Sequence, residues 1–357
     1  YFFNEDGFTR SGPFVFSPFN TPNGFLNDGV TPSFGGYGDF EINQETNSYA
    51  AYINASYDLT DDLTVGGGLR YSKDEKDANA QFPTFPVPKF VSADFDAVTW
   101  DINASYQISN NMNLYGQIQK GYQTGGFPPR PFGGPDQFVS FDETKAVNYE
   151  MGLKGQVHEN VSMMLAVFVT DYTDLALPFS DPTAGGGFVT IVENAGQSKA
   201  QGIELETTVA ITDDFTIRSA VGYLDSEITE VDAGVQGIGK GDSPALTPRW
   251  TVMVAPSYFM DLDSGATVAL NANYSYRSEM QGQSVYSQSE TIDSRELVGF
   301  NISYTNAYGD MEVTLYGENV LNEVYDVGRL QQSGFVGVMR SNDRSEFGLK
   351  FKKDFEL

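Results

Sequence analysis

Polar and apolar residues alternate along most of this chain. Between Met112 and Tyr122, the residues Met112, Leu114, Gly116 and Ile118 fall on one face and Asn113, Tyr115, Gln117 and Gln119 on the other. A period of two marks a strand with one greasy and one wet side. The segment then runs into Gly121-Tyr122-Gln123-Thr124-Gly125-Gly126-Phe127-Pro128-Pro129-Arg130, which bends rather than pairs. In Val98–Ile108 the set Val98, Trp100, Ile102, Ala104, Tyr106 and Ile108 alternates with Thr99, Asp101, Asn103, Ser105 and Gln107. The same pattern predicts strands at 46–58, 61–73, 95–109, 111–124, 143–157, 160–174, 188–211, 214–229, 247–260, 264–278, 294–306, 308–322 and 340–355. Many of these run to roughly ten to fifteen residues, where strands of soluble proteins cluster near five or six. Length favours strands that cross a membrane.

The connections alternate between tight and long. Tight ones fall at 59–62, 110–111, 158–160, 212–214, 261–264 and 306–308; between them lie long stretches near 74–94, 125–142, 174–187, 230–246, 279–293 and 323–339, and residues 1–45 form another. Short turns on one side and long loops on the other are how outer-membrane barrels are built. The polar face carries Glu150, Lys154, Glu204, Glu206, Arg218, Asn271, Asn273, Glu312 and Glu318. So many ionisable groups in a dry interior would carry a heavy desolvation cost, so the wet face lines a lumen and the apolar face meets lipid. Tyr57, Tyr71, Tyr106, Tyr122, Tyr223, Tyr274, Tyr276 and Tyr304 fall toward strand ends, where a ring can sit at the headgroup level, although tyrosine favours any sheet.

Composition removes other classes. Among 357 residues no run approaches the eighteen or so apolar residues of a membrane helix. A transmembrane barrel survives that test, because its apolar positions are interleaved. A net charge of −27 argues against nucleic acid as a partner. The absence of cysteine removes disulfides and thiol chemistry. The only histidine, His158, lies in a tight turn, so histidine triads and multi-histidine metal sites are excluded. Gly66-Gly67-Gly68 and Gly185-Gly186-Gly187 lack the lysine and helix of a phosphate loop, and Glu204/Glu206 read as a barrel wall rather than a glycosidase pair. No enzyme, cofactor or metal site is expected.

Several segments resemble the TonB-dependent outer-membrane receptors. Gly121-Tyr122-Gln123-Thr124-Gly125-Gly126-Phe127 is similar to that family's GYKSGGF strand end, and Tyr149-Glu150-Met151-Gly152-Leu153-Lys154 to its YEVGLK strand. Val167–Leu175, then Asn194-Ala195-Gly196 with Gly202-Ile203-Glu204-Leu205-Glu206, and finally Glu318-Asn319-Val320-Leu321-Asn322 followed by Tyr325 resemble further family segments, in the family's order. The resemblance covers about residue 46 to the C-terminus. It implies an all-β fold: a transmembrane antiparallel up-and-down β-barrel of about twenty-two strands. Counted back from the C-terminus, the strands here are about the tenth to the twenty-second. The expected organisation is therefore one partial barrel domain over 1–357, with 1–45 mostly a long extracellular loop and 46–357 barrel strands. The N-terminal plug, the first strands and the segment that contacts TonB would lie outside this chain.

The resemblance implies a receptor in the outer membrane of a Gram-negative bacterium, with long loops extracellular and short turns periplasmic. Its function would be TonB-energised uptake of a scarce nutrient, most often an iron–siderophore complex. A carbohydrate or cobalamin cargo, a passive porin-like channel and a surface-interaction barrel remain open. Expected partners are outer-membrane lipid, the TonB complex, and a small-molecule or metal-chelate cargo. For ligand contact the residues singled out are Phe127, Arg130 and Phe132, because an arginine held between two rings in a Pro-rich loop could grip a flat anionic ligand by stacking and charge. The same rings could instead pack inside the loop. Other positive charge toward the long-loop side includes Arg277, Arg295, Arg329 and Arg340.

Overall fold

The computed structural model describes residues 2–11, 40–81, 87–128, 135–180, 190–233, 235, 237–282, 291–332, 335–341 and 344–355. Fourteen strands form one antiparallel sheet. Ten of them are β1 (Phe2–Ser11), β2 (Phe40–Asp58), β3 (Leu63–Gln81), β4 (Lys89–Ser109), β5 (Met112–Gln123), β6 (Thr144–His158), β7 (Val161–Ser180), β8 (Thr190–Ala210), β9 (Phe215–Val231) and β10 (Trp250–Asp261). After β11 (Thr267–Arg277), a small hairpin of β12 (Met280–Gln281) and β13 (Thr291–Ile292) precedes β14 (Arg295–Thr305) and β15 (Met311–Glu318). A second hairpin, β16 (Asp326–Gln332) with β17 (Phe335–Arg340), precedes the last strand, β18 (Glu346–Lys353). Each strand of the main sheet pairs with its predecessor in that sheet, giving the up-and-down order. The sheet is an open arc rather than a closed barrel.

Short turns are set by local chemistry. In Leu59-Thr60-Asp61-Asp62-Leu63 the Leu63 amide donates to Thr60 Oγ1 at 3.0 Å and the Leu59 amide to Leu63 O at 2.8 Å. Ile211-Thr212-Asp213-Asp214-Phe215 repeats this, with 3.1 Å and 2.8 Å for the corresponding bonds. A threonine hydroxyl that caps the next amides reverses the chain without a long loop. Gly265 (φ 82°) and Gly309 (φ 73°) supply left-handed backbone in two further turns.

The register puts the apolar face on one continuous surface. One row of directly paired residues reads Leu63, Tyr106, Leu114, Leu153, Leu165, Leu205, Val221, Val252 and Tyr276. It starts beside a short turn on β3 and finishes at the long-loop end of β11, as expected for strands tilted across a membrane. Neighbouring apolar side chains stay exposed: Ile102 is 62% exposed, Leu69 52% and Leu349 74%. A sheet that leaves such residues uncovered is built for an apolar solvent. Tyr57, Tyr71, Tyr106 and Tyr304 are likewise exposed. Tyr122 departs from the expected girdle, since its hydroxyl turns to Asp74 Oδ2 at 3.2 Å.

The opposite face is a polar ladder. Tyr115 Oη donates to Glu150 Oε1 at 2.9 Å, Thr170 Oγ1 to Asn148 Oδ1 at 2.9 Å, and Asn148 Nδ2 to Glu150 Oε2 at 3.4 Å. Farther round, Ser257 Oγ donates to Asn271 Oδ1 at 2.6 Å and Asn271 Nδ2 to Asn301 Oδ1 at 2.9 Å. The Tyr115 ring lies over Gly152, where an added Cβ would come within 2.5 Å of it. Gly152 is therefore a packing requirement of this wall.

Several strands outrun their expected limits. The stretch 74–94, expected as a loop, is paired through Gln81 and again from Lys89, leaving 82–88 as the connection. Strand β2 begins at Phe40 rather than 46 and β1 occupies Phe2–Ser11; residues 12–39, the rest of the segment expected to be mostly loop, lie outside the described residues. The hairpins β12–β13 and β16–β17 lie in two other expected loops, and the final strand β18 begins at Glu346 rather than at 340. Alternation of apolar and polar residues records contact with lipid; beyond the membrane the outer face is wet and the inner face is polar or packed by loop residues, so the sequence contrast weakens while the hydrogen-bond ladder continues. Lys73 illustrates this, paired there with Glu75 at 2.5 Å and Asp94 at 3.4 Å.

The two faces predict opposite responses to charge. In the full-length protein, Leu114→Arg or Ile102→Arg should cost about 2–4 kcal/mol near the membrane midplane. Gln117→Arg and Asn103→Arg should be far milder, as measured by urea titration of the barrel refolded into lipid vesicles. Equal costs on both faces would contradict the assignment of the lipid face.

Candidate functional site

Two loops at the long-loop end fold inward over the polar wall. After β5 the chain forms a bridge between Gly126 and Phe141, with amide–carbonyl distances of 3.1 and 2.9 Å. Phe127 and Phe138 stack at 5.6 Å between centroids and bury themselves against Ile42, Ala78 and Ala80, with Val91 and Ala93 alongside. These small residues continue the inner face of β2–β4 beyond the lipid zone. Their shortness makes room for two phenyl rings. Lys76 Nζ donates to Gly125 O at 2.6 Å and lies 5.5 Å from the Phe95 ring centroid. Asp74 accepts from Ser48 and Tyr122. On the next part of the arc, Ile238 of the β9–β10 loop covers Leu177 and Ile228.

Of the three residues singled out for ligand contact, Phe127 is 7% exposed, so its ring presents no open face for stacking. Its contacts follow the packing alternative. Arg130 and Phe132 lie outside the described residues. In the aromatic first segment, Phe8 belongs to β1 and Phe40 opens β2, while Phe14, Phe16, Phe19, Phe25, Phe34 and Tyr37 lie outside the described residues.

The structure gathers four arginines that are scattered in sequence. Arg277 ends β11 and Arg295 opens β14, and they are direct register partners. The bond between Asn271 and Asn301 fixes the inner face of these two strands; Arg277 and Arg295 each lie six residues from it, an even step, and share that face. Arg277 Nη2 donates to Asp293 O at 2.8 Å and Nη1 approaches Met280 Sδ at 3.0 Å. The Arg295 guanidinium lies 4.6 Å from the Tyr325 ring centroid. On the β16–β17 hairpin, Asp326 binds Arg329 at 2.7 Å and Arg340 at 3.0 Å. Arg329 also reaches the Asp293 carboxylate at 3.5 Å, which links the hairpin to the segment before β14.

Burial opposes ionisation of Asp326, yet the hydrogen bonds and charges of Arg340 and Arg329 hold its carboxyl below the usual carboxylate range. Among the described residues, no three His, Cys, Asp or Glu side chains cluster as metal ligands. The chemistry on offer is recognition: polar and cationic donors on an inner wall, next to rings.

The arginine cluster could not be found by the reasoning that selected Arg130. Residues 277 and 295 come together only through the β11–β14 register, and a hairpin rather than a tight turn separates them. The available signal was that each lies beside the tyrosine belt or its polar edge, next to Tyr276 and Glu296.

The protein family described as TonB dependent receptor-like, beta-barrel, matches residues 3–322. This chain belongs to that family. Its members are outer-membrane β-barrel receptors and transporters, not enzymes. The pesticin receptor of Yersinia enterocolitica (serotype O:8) is 27% identical over 230 residues, 59% of this chain and 33% of that protein. A probable TonB-dependent siderophore receptor, PiuA of Acinetobacter baumannii, is 25% identical over 201 residues, 54% of this chain and 25% of that protein. The chain thus spans about a third or less of the length of these relatives. The crystal structure of the ferric yersiniabactin uptake receptor FyuA from Yersinia pestis superposes with a TM-score of 0.74 at 18% identity, over 90% of this chain and 48% of that one. This likeness establishes the TonB-dependent receptor barrel as the fold.

The Asp326 clamp generates a pH prediction. A carboxyl whose folded pKa is depressed contributes stability above its unfolded value, about 3.9, and loses it as the pH falls toward the lower folded value. The protection factors of the β16–β17 amides, that is, exchange corrected for its intrinsic pH dependence, should therefore be constant above about pH 5 and fall below about pH 4. Asp326→Asn should abolish that acid step and weaken the hairpin locally by about 1–3 kcal/mol at neutral pH.

Proposed function

We propose that this protein is an outer-membrane receptor for TonB-energised uptake of a scarce nutrient, and that the cargo is an iron–siderophore complex. The long loops face outward and the short turns face the periplasm. The observation that carries the reading is the inner wall, whose polar contacts recur from Ser48–Asp74 through Tyr115–Glu150 to Asn271–Asn301, with two long-loop segments packed inward on it and four arginines gathered at the same end. The name of one relative, a probable TonB-dependent siderophore receptor, supports the same cargo class.

Of the residues singled out in the loop after β5, Arg130 and Phe132 are kept in this reading as cargo contacts on their residue types alone, while Phe127, buried against Ile42, Ala78 and Ala80, packs instead.

The test is growth and radioactive iron uptake under iron limitation in cells that carry or lack the full-length receptor, with and without TonB. Rescue should require both. Uptake that persists without TonB would mean a passive channel, and receptor dependence confined to sugars or cobalamin would remove the iron cargo. Protease added to intact cells should cut within 82–88, 125–142, 232–249 or 319–345 and spare 110–111 and 211–214; the reverse pattern would invert the orientation.

A further inference from the structure

Two of the four clustered arginines are neutralised and two are not. Arg329 and Arg340 share Asp326, whereas among the described residues no carboxylate lies within ion-pairing distance of Arg277 or Arg295. Like charges directly opposite each other on neighbouring strands repel and destabilise the pair. Here the repulsion is built in by the register, since Arg277 is the partner of Arg295. Both groups are also held in place. Arg277 is fixed by Asp293 O and Met280 Sδ, and Arg295 lies over Tyr325. Fixed, unneutralised guanidinium groups on an inner wall are arranged for an anion that comes from elsewhere.

A second observation points the same way. Arg277 Nε is buried without a hydrogen-bond partner, and so is Gln281 Oε1 on the adjoining β12. A buried donor left unpaired costs free energy until an acceptor arrives. The site offers charged donors for an anionic oxygen and, at Gln281, an acceptor for a hydroxyl or amide hydrogen. The overall charge of −27 makes the pair more informative, because the rest of the protein repels anions. A local cationic pair is what allows an anionic chelate to dwell in such a field. Lipid phosphate is not the partner, because both arginines share the lumenal face of Asn271 and Asn301.

We propose that Arg277 and Arg295 form a subsite for a carboxylate on the iron chelate, and that the receptor therefore selects anionic, carboxylate-bearing chelates over neutral ones. The proposal rests on the iron-uptake reading above. The other conceivable occupant is a carboxylate from another part of the same polypeptide, which would leave chelate affinity indifferent to the pair.

The experiment uses the full-length receptor, in outer membranes and purified in detergent, with a panel graded by charge: ferric citrate, a carboxylate-bearing anion; a ferric tris-catecholate, an anion without carboxylates; and neutral ferrichrome. Binding is measured with radioactive iron at two salt concentrations. Wild type should bind ferric citrate best, more weakly at high salt. Arg277→Ala and Arg295→Ala should each weaken that binding by roughly ten- to a hundredfold, while Arg277→Lys with Arg295→Lys should restore part of it. Lys352→Ala, which removes an exposed pair with Asp354 at the short-turn end of β18 and leaves the arginine cluster intact, controls for general disturbance and should leave ferric citrate affinity within about twofold. Unchanged affinity in both alanine variants at equal surface level overturns the proposal, and a lowered melting temperature with that unchanged affinity assigns the pair to an internal carboxylate. A wild type that prefers ferrichrome or the catecholate overturns the proposal while iron uptake stands. A wild type that takes up none of the panel and no iron at all removes the uptake reading together with the subsite.

Discussion

A strand that crosses hydrocarbon must find every backbone partner in its neighbouring strands, because lipid offers neither donors nor acceptors. Everything else in this structure follows from that ladder. It forces each strand beside its predecessor and holds fourteen in one antiparallel sheet. It also sends alternate side chains to opposite faces, so that a single register settles at once what meets lipid and what meets the lumen. The row from Leu63 to Tyr276 and the polar contacts from Tyr115–Glu150 to Asn271–Asn301 are two consequences of the same pairing.

Where the membrane stops, the ladder does not. The hairpin of β3 and β4 continues past the membrane, where Lys73 pairs with both Glu75 and Asp94. On the inner side of that extension the residues become small and apolar, and Phe127 and Phe138 of the next long loop settle on them. The second inward loop does likewise with Ile238 over Leu177 and Ile228. Loops of this length would otherwise carry a large ordering entropy. Burying a few rings and aliphatic groups on the barrel's own inner wall fixes their direction, and the direction narrows the mouth.

The charge pattern at that mouth divides its arginines by role. Asp326 ties Arg329 and Arg340 into a structural clamp, and Asp293 joins the clamp to the wall through its carboxylate on Arg329 and its carbonyl on Arg277. Among the described residues, Arg277 and Arg295 have directional contacts but no carboxylate within ion-pairing distance. In a chain with so large an acidic excess, cations without anionic partners stand apart from the surface around them.

The sequence by itself determined the class of the fold, the lipid face and the separation of short turns from long loops, because each is a local property. Alternation reports the solvent on either side of one strand, and a motif such as Leu59-Thr60-Asp61-Asp62 closes its own turn. It failed at 74–94 for the same reason: once lipid no longer contrasts the two faces, the alternation fades although the hydrogen bonds persist. It also placed an arginine between rings at 127–132 from spacing alone, where Phe127 proves to serve packing. Only the tertiary structure decided which arginines meet. Arg277, Arg295, Arg329 and Arg340 lie on four different strands, and their company depends on the β11–β14 register and on the way the β16–β17 hairpin leans on the segment before β14. Register across a long connection depends on the sum of many ladder bonds and packing contacts. No short window of residues contains that sum.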